Sequence, residues 1–213
     1  MEPLTVPPLG PDEVHVWTCA LSPDVTALVA LLSDDEHARA RRFRFDIHRN
    51  RFIAARGTAR RLLGAYTGQD AASLRFEYEP LGKPRLADGE VSFNISHCDD
   101  RMMIAIRREG EVGVDVERLR PVAEAEDIAG SYFDPGVAEQ IRLLPEPERS
   151  QLFLRHWTRH EAGGKFLGRG VVAPTEFNNK ITTLDLVTED EHVSAVALEA
   201  GAAGGPKCRA FQL

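Results

Sequence analysis

Three short stretches of this chain combine side chains able to do chemistry. In Val112-Gly-Val-Asp-Val-Glu117 acidic and apolar residues alternate. Successive side chains of a strand face opposite ways, so Asp115 and Glu117 share one face while Val114 and Val116 share the other. Two neighbouring carboxylates repel each other unless a cation lies between them, and oxygen donors of this kind suit Mg²⁺. The same alternation also describes an edge strand with a solvated polar face. In Trp157-Thr-Arg-His-Glu161-Ala-Gly-Gly-Lys165, Glu161 and Lys165 are four residues apart. On a helix they share a face, in the orientation of an ordinary surface ion pair. Glycines at 163, 164 and 168 are odd in a solvated helix, where each costs about 1 kcal/mol, unless backbone or ligand must approach closely there. In Phe93-Asn-Ile-Ser-His-Cys98, which follows Gly82-Lys83-Pro84, Ser96 and His97 offer hydrogen-bond donors to a phosphate. No nucleophile elbow surrounds Ser96, so this is not a hydrolase signature. His156 and His160 lack a third partner of metal-binding type, which argues against zinc.

A fourth feature is a block of arginines. Between Arg39 and Arg61 there are nine, with Asp46 the single acidic residue, in a chain whose net charge is −7. Most of the nine suit a solvated helix face. One or two can serve a localised anion, because the guanidinium fork matches phosphate oxygens. The overall negative charge and the lack of a recognised binding motif speak against nucleic acid as a partner.

These residues need elements to hold them. Glu13 to Ala20 reads as a strand after a loosely attached, proline-rich arm. Ser33-Asp-Asp-Glu36 is a capping box that starts a helix running into the arginine block. A second helix is expected over 47–66, ended by Gly68. Leu74 to Glu79 alternates like a strand, and Leu81 to Pro84 reads as a turn. Val91–Ser96, Met102–Arg107 and Val112–Glu117 read as a three-stranded antiparallel meander. Helical patterns follow over 121–130, 135–144 and 146–166, and strands over 181–188 and 193–199. The two rounds of helix and strand predict an α+β chain of two subdomains, 1–110 and 111–213.

With 213 residues, 43% hydrophobic and 28% charged, the chain can bury a core and is not disordered. Its longest apolar run, Ala27 to Leu32, falls far short of the roughly 18 residues that span a bilayer. The amino terminus lacks the pattern of a signal peptide, and Cys19, Cys98 and Cys208 form no CxxC pair. The expectation is a cytoplasmic protein without membrane association.

Taken in order, Gly82-Lys-Pro84, Phe93-Asn-Ile-Ser-His97, Gly113-Val-Asp-Val-Glu117 and the Trp157-to-Gly170 pattern WTxxEAxxKxxGxG resemble the Sfp-type 4′-phosphopantetheinyl transferases. The resemblance covers about ninety residues, and the arginine-rich segment upstream adds to it. It implies a pseudo-dimeric monomer of two similar α+β subdomains with coenzyme A between them. It implies transfer of 4′-phosphopantetheine to a serine of an apo acyl or peptidyl carrier protein, with release of adenosine 3′,5′-bisphosphate. Carried over by motif, Asp115, Glu117 and Glu161 bind Mg²⁺, for which Mn²⁺ substitutes. Lys165 meets the pyrophosphate and stabilises the leaving phosphate. Lys83, Ser96 and His97 hold nucleotide phosphates, and Arg51, with Arg56 as a second candidate, reads the 3′-phosphate. Glu161 is the expected general base, with Glu117 acting through a water as the alternative. His160 stands where many members carry lysine, implying a weaker or pH-sensitive contact to a phosphate or to the carrier, and Gly163 and Gly164 imply a wider pocket or looser helix. A coenzyme A- or carrier-binding regulator without activity is the competing expectation.

Overall fold

A computed structural model describes residues 4–173, 176–177, 181–187, 191–201 and 207–213. The first half runs β1 (Glu13–Ala20), α1 (Thr26–Val29), α2 (Asp34–Ala40), α3 (Asp46–Thr67), β2 (Phe76–Tyr78), β3 (Pro84–Leu86), β4 (Ser92–Cys98) and β5 (Arg101–Arg107). The second runs β6 (Gly113–Arg118), α4 (Ala125–Tyr132), α5 (Pro135–Leu143), α6 (Glu148–Phe166), β7 (Ile181–Leu186), β8 (His192–Glu199) and β9 (Lys207–Gln212).

Strands β1 and β5 are apolar on both faces, so both faces must be covered. Trp17, Cys19, Met102, Ile104 and Ile106 point one way and pack on Ala55, Ala59, Leu62 and Leu63 of α3. Val14, Val16, Met103 and Ala105 point the other way and meet Val112, Val114, Val116, Val196 and Leu198. The first sheet has the order β4-β5-β1-β9 and the second β6-β8-β7. The outer face of the second carries α6, through Ala162 and Phe166 against Ala195 and Ala197. Each half is therefore a sheet with one long helix on its outer side, and the inner faces share a core. The chain is α+β, as expected. Among the described residues no helix is long and apolar enough to cross a membrane.

Local signals act where they stand in the chain. Ser33 and Glu36 form both arms of the capping box at α2, and α3 ends on Gly68 at φ 71°. Long-range pairing departs from expectation in three places. The three-stranded meander is only a hairpin: β4 and β5 pair, but both edges of β5 are taken, by β4 and β1, so β6 pairs with β8 instead. The proline-rich arm is pinned where it is described: Leu9 is buried, and Leu4 and Val6 pack on the first core. Finally, β9 lies parallel to β1, with Glu13 opposite Lys207. The end of the second half thus completes the sheet of the first.

The two halves meet where β4 runs beside β6. The Val114 N–H donates to Asn94 Oδ1 at 2.9 Å, and Ser96 Oγ donates to Asp115 Oδ1 at 2.7 Å. Two of the sequence motifs are brought together at this seam.

Candidate active site

Alternation along β6 sends Val114 and Val116 into the shared core and turns Asp115 and Glu117 toward α6. The helix comes close because Gly113 has no side chain: a Cβ there would lie 2.0 Å from the Ala162 carbonyl oxygen. Glu161 and Lys165, one turn apart on α6, consequently lie over Asp115. The Lys165 ammonium donates to Asp115 Oδ1 at 2.5 Å and to Ser96 Oγ at 3.0 Å, with Glu161 Oε2 at 3.6 Å. Asp115 is 2% exposed, so the solvated edge-strand reading fails for it. Lys165 reaches the other half of the molecule, which a plain surface pair with Glu161 would not do.

Charge is crowded here. Burial pushes the Glu117 and Glu161 carboxyls above their usual range. The negative charge of Asp115 pushes both in the same direction, and Lys165 offsets part of the effect. Glu117 also has Arg120 at 3.5 Å and the Cys98 thiol at 3.9 Å. Among the described residues no group of three His, Cys, Asp or Glu side chains is assembled to hold a metal ion. The donor chemistry nonetheless fits a hard divalent cation: Asp115 Oδ2 is buried without a hydrogen-bond partner, beside two carboxylates whose charge is disfavoured as they stand.

On the other side of the seam lies a cationic patch. His97 is exposed at the end of β4. Surrounding protein still removes much of its water and lowers its pKa, and Lys165, Arg51 and Arg39 act in the same direction. An anion bound beside His97 would offset the cationic charge that disfavours its protonated form. Arg51 Nη1 lies 3.4 Å from Asp99 Oδ1 in the β4–β5 turn. Arg39, Arg42, Phe43, Tyr78 and Gly82 line an adjoining cavity of about 690 Å³. Nothing local in the sequence separates Arg39 and Arg42 from the other arginines of the block, apart from their spacing of three beside the capping box.

Two expected phosphate contacts have other partners. Arg56 donates to Glu36 Oε1 and to the Tyr78 hydroxyl, each at 2.6 Å, and its guanidinium lies over the Phe76 ring. With Arg60, which donates to Glu36 Oε2 at 2.6 Å, it fastens α2 to α3. The Lys83 ammonium turns inward, donating to Glu111 Oε2 at 2.6 Å and to the Val112 and Phe166 carbonyls.

His160 also departs from expectation. It is buried, stacked on Trp157 at 5.8 Å, with Phe177 edge-on at 4.9 Å and Tyr132 at 5.7 Å. Burial lowers its pKa, opposed by a hydrogen bond with the Val172 backbone. It therefore stands among aromatic rings and outside the cationic patch. Gly163 and Gly164 neither widen a pocket nor leave room beside the helix. A Cβ at 163 would lie 2.4 Å from the Phe177 ring, and one at 164 would lie 2.4 Å from the Gly170 carbonyl oxygen. The chain's own downstream segment fills the space.

Comparison with known proteins agrees with this arrangement. Residues 111–203 match the model of the 4′-phosphopantetheinyl transferase superfamily, and residues 16–109 match that of the 4′-phosphopantetheinyl transferase N-terminal domain. The chain is 37% identical to the 4′-phosphopantetheinyl transferase HetI of Nostoc sp. strain PCC 7120, over 92% of this chain and 91% of that protein. It is 27% identical to a phosphopantetheinyl transferase of Thraustochytrium sp., over 84% of this chain and 74% of the other. A shorter match, 35% identical over 40% of this chain and 44% of the other, is with AcpT of Escherichia coli strain K12, also named a 4′-phosphopantetheinyl transferase. With both halves matched, and with the acidic and phosphate-type motifs facing each other across one seam, the chain belongs to the 4′-phosphopantetheinyl transferase superfamily and is a transferase of that kind.

Proposed function

We propose that the protein moves the 4′-phosphopantetheine arm of coenzyme A onto a serine of an apo acyl or peptidyl carrier protein, releasing adenosine 3′,5′-bisphosphate. The observation that carries this reading is the junction of Lys165, Asp115 and Ser96, which sets an acidic cluster directly against a cationic patch. A diphosphate with a nearby nucleophile has use for both. The carrier serine Oγ forms the new bond to the pantetheine-side phosphorus, and the anhydride P–O bond breaks toward the nucleotide. The serine proton passes to Glu161, which has the Lys165 ammonium 3.6 Å away. Glu117 acting through a water remains the second candidate. Lys165 neutralises charge on the leaving phosphate. Asp115, Glu117 and Glu161 would hold Mg²⁺, which when bound supplies charge neutralisation at the diphosphate. Ser96, His97, Arg51 and Arg39 take the nucleotide phosphates, and the cavity beside Tyr78 and Gly82 takes the base. The division near residue 110 separates the half bearing those nucleotide contacts from the half bearing the carboxylates, with β9 crossing back. We expect a cytoplasmic monomer.

The direct test is incubation with coenzyme A, Mg²⁺ and a panel of apo carriers, read by intact mass. A mass gain equal to one phosphopantetheine on a carrier serine is expected. Tight binding of coenzyme A without any gain would leave the regulator reading standing.

Arg51→Ala is expected to weaken coenzyme A about tenfold more than dephospho-coenzyme A in calorimetric titration, as removal of one charged hydrogen bond would do. Equal losses for the two ligands would put Arg51 away from the 3′-phosphate.

Coenzyme A affinity is expected to rise as pH falls from 8 to 6. His97 has a lowered pKa in the free protein, and a bound phosphate would raise it, so binding takes up a proton and gains as protons become available. His97→Gln should flatten the curve, and His160→Gln should leave it superimposable on that of wild type. A flattening by His160→Gln would return His160 to the phosphate field.

A further inference from the structure

Strands β2 and β3 pair antiparallel as a two-stranded ribbon, and the turn that joins them abuts the end of α6. Lys83, in the turn that leads into β3, passes its side chain between the two halves and is 7% exposed. Its three acceptors are Glu111 Oε2 at 2.6 Å, the Val112 carbonyl at 3.2 Å and the Phe166 carbonyl at 3.5 Å. An ammonium has three protons to donate, and these acceptors match that number. A second contact of ribbon and helix end lies nearby, since a Cβ at Gly168 would fall 2.2 Å from Glu79 Oε2. Phe166 directly follows Lys165, and the last carbonyls of a helix lack intrahelical partners and favour a cation.

We infer that Lys83 is a positioning residue. Its ammonium clamps the last turn of α6 and the start of β6 to the β2–β3 ribbon, and so fixes the turn that carries Lys165 over Asp115. The clamp itself is read from contacts. Its bearing on transfer rests on the proposed function, through the role given there to Lys165. A nucleotide phosphate would have to displace Glu111 and two carbonyls to reach this amine, whereas the positive charges of Lys165, Arg51 and Arg39 are felt at His97.

Two measurements test this. In the wild-type protein, amine acetylation followed by peptide mass analysis should modify Lys83 at least tenfold more slowly than exposed Lys207, with or without coenzyme A. Rapid labelling of Lys83 that coenzyme A suppresses would overturn the clamp and restore the phosphate contact. This measurement needs neither a variant nor activity, so it stands even if Lys83→Met does not fold or the chain transfers nothing.

In Lys83→Met, backbone hydrogen exchange should accelerate over residues 163–168 while α3 stays protected. The transfer kcat should fall tenfold to a hundredfold, the range that a displacement of about 1 Å at a reacting centre produces. The dissociation constant for coenzyme A should stay within twofold. Weakened coenzyme A binding with a shallower salt dependence would overturn the inference, and so would an unchanged kcat in folded protein. Loss of the exchange difference overturns the clamp alone, whereas absence of transfer in wild type overturns only the reading on which its catalytic consequence rests.

Discussion

Replacing Asp115 with alanine is expected to lower carrier modification at least a hundredfold, measured as the initial rate of holo-carrier formation with saturating Mg²⁺. The carboxylate meets Lys165 and Ser96 through one oxygen, and its other oxygen is buried without a partner. Its removal therefore releases the lysine and takes away the proposed metal donor together, and losing one preorganised electrostatic group at such a site commonly costs a hundredfold to a thousandfold. A second readout separates metal binding from chemistry. Glu117 and Glu161 have raised pKa values in the folded protein, burial being the largest cause and Asp115 the next. A carboxyl with a raised folded pKa holds its proton longer folded than unfolded. Stability is thus lost as pH rises from the ordinary carboxylate range through the raised values. Bound Mg²⁺ should relieve that loss, so its stabilisation of wild type, seen as a rise in Tm, should be larger at pH 8 than at pH 5. Asp115→Ala should abolish most of the Mg²⁺-dependent rise. Full transfer in excess chelator, or an undiminished Mg²⁺ effect in the variant, would remove the metal from this cluster.

Glu161→Gln is expected to cost a further large factor, about a hundredfold to ten-thousandfold in kcat, the usual range for losing a general base. Glutamine keeps the shape and the capacity to accept from Lys165 but cannot take the serine proton. Coenzyme A binding should change little, because the contacts proposed for its nucleotide come from β4, α2 and α3. The diagnostic comparison is with Glu117→Gln under the same conditions. A near-normal kcat in Glu161→Gln and a collapsed one in Glu117→Gln would pass the base role to Glu117. Collapse of both, with Mg²⁺ stabilisation also lost in each, would mean that the pair acts through the metal and leave the proton acceptor outside these side chains.

Some of this was legible in the chain because it depends on neighbours. The faces of Asp115 and Glu117 follow from strand alternation, the shared face of Glu161 and Lys165 follows from helical repeat, and the ends of α2 and α3 follow from Ser33, Glu36 and Gly68. Even the order of the motifs, set against a known family, pointed to the transferase. The allotment of individual cations was not legible. Arg56 and Arg51 lie five residues apart on one helix, yet one is held by Glu36 and Tyr78 and the other reaches Asp99. Nothing local distinguishes them, because the choice is made by acceptors 20 to 48 residues away.

The same limit applies to the seam. Local sequence determined that β6 would be a strand with two carboxylates on one face. It did not determine that the strand would leave the meander, because that depends on β1 already occupying the free edge of β5. Lys83 belongs to a turn by its own neighbours, and its acceptors lie 28, 29 and 83 residues along the chain. The resemblance implied a phosphate or carrier contact at the place of His160, whereas rings from α4 and Phe177 close around its side chain. Backbone geometry and side-chain period are properties of adjacent residues, so the sequence by itself determined the elements and which face of each bears the reactive groups. Which cation meets which anion, and which group is left to meet a ligand, is decided by burial and proximity, which exist only once distant segments have packed.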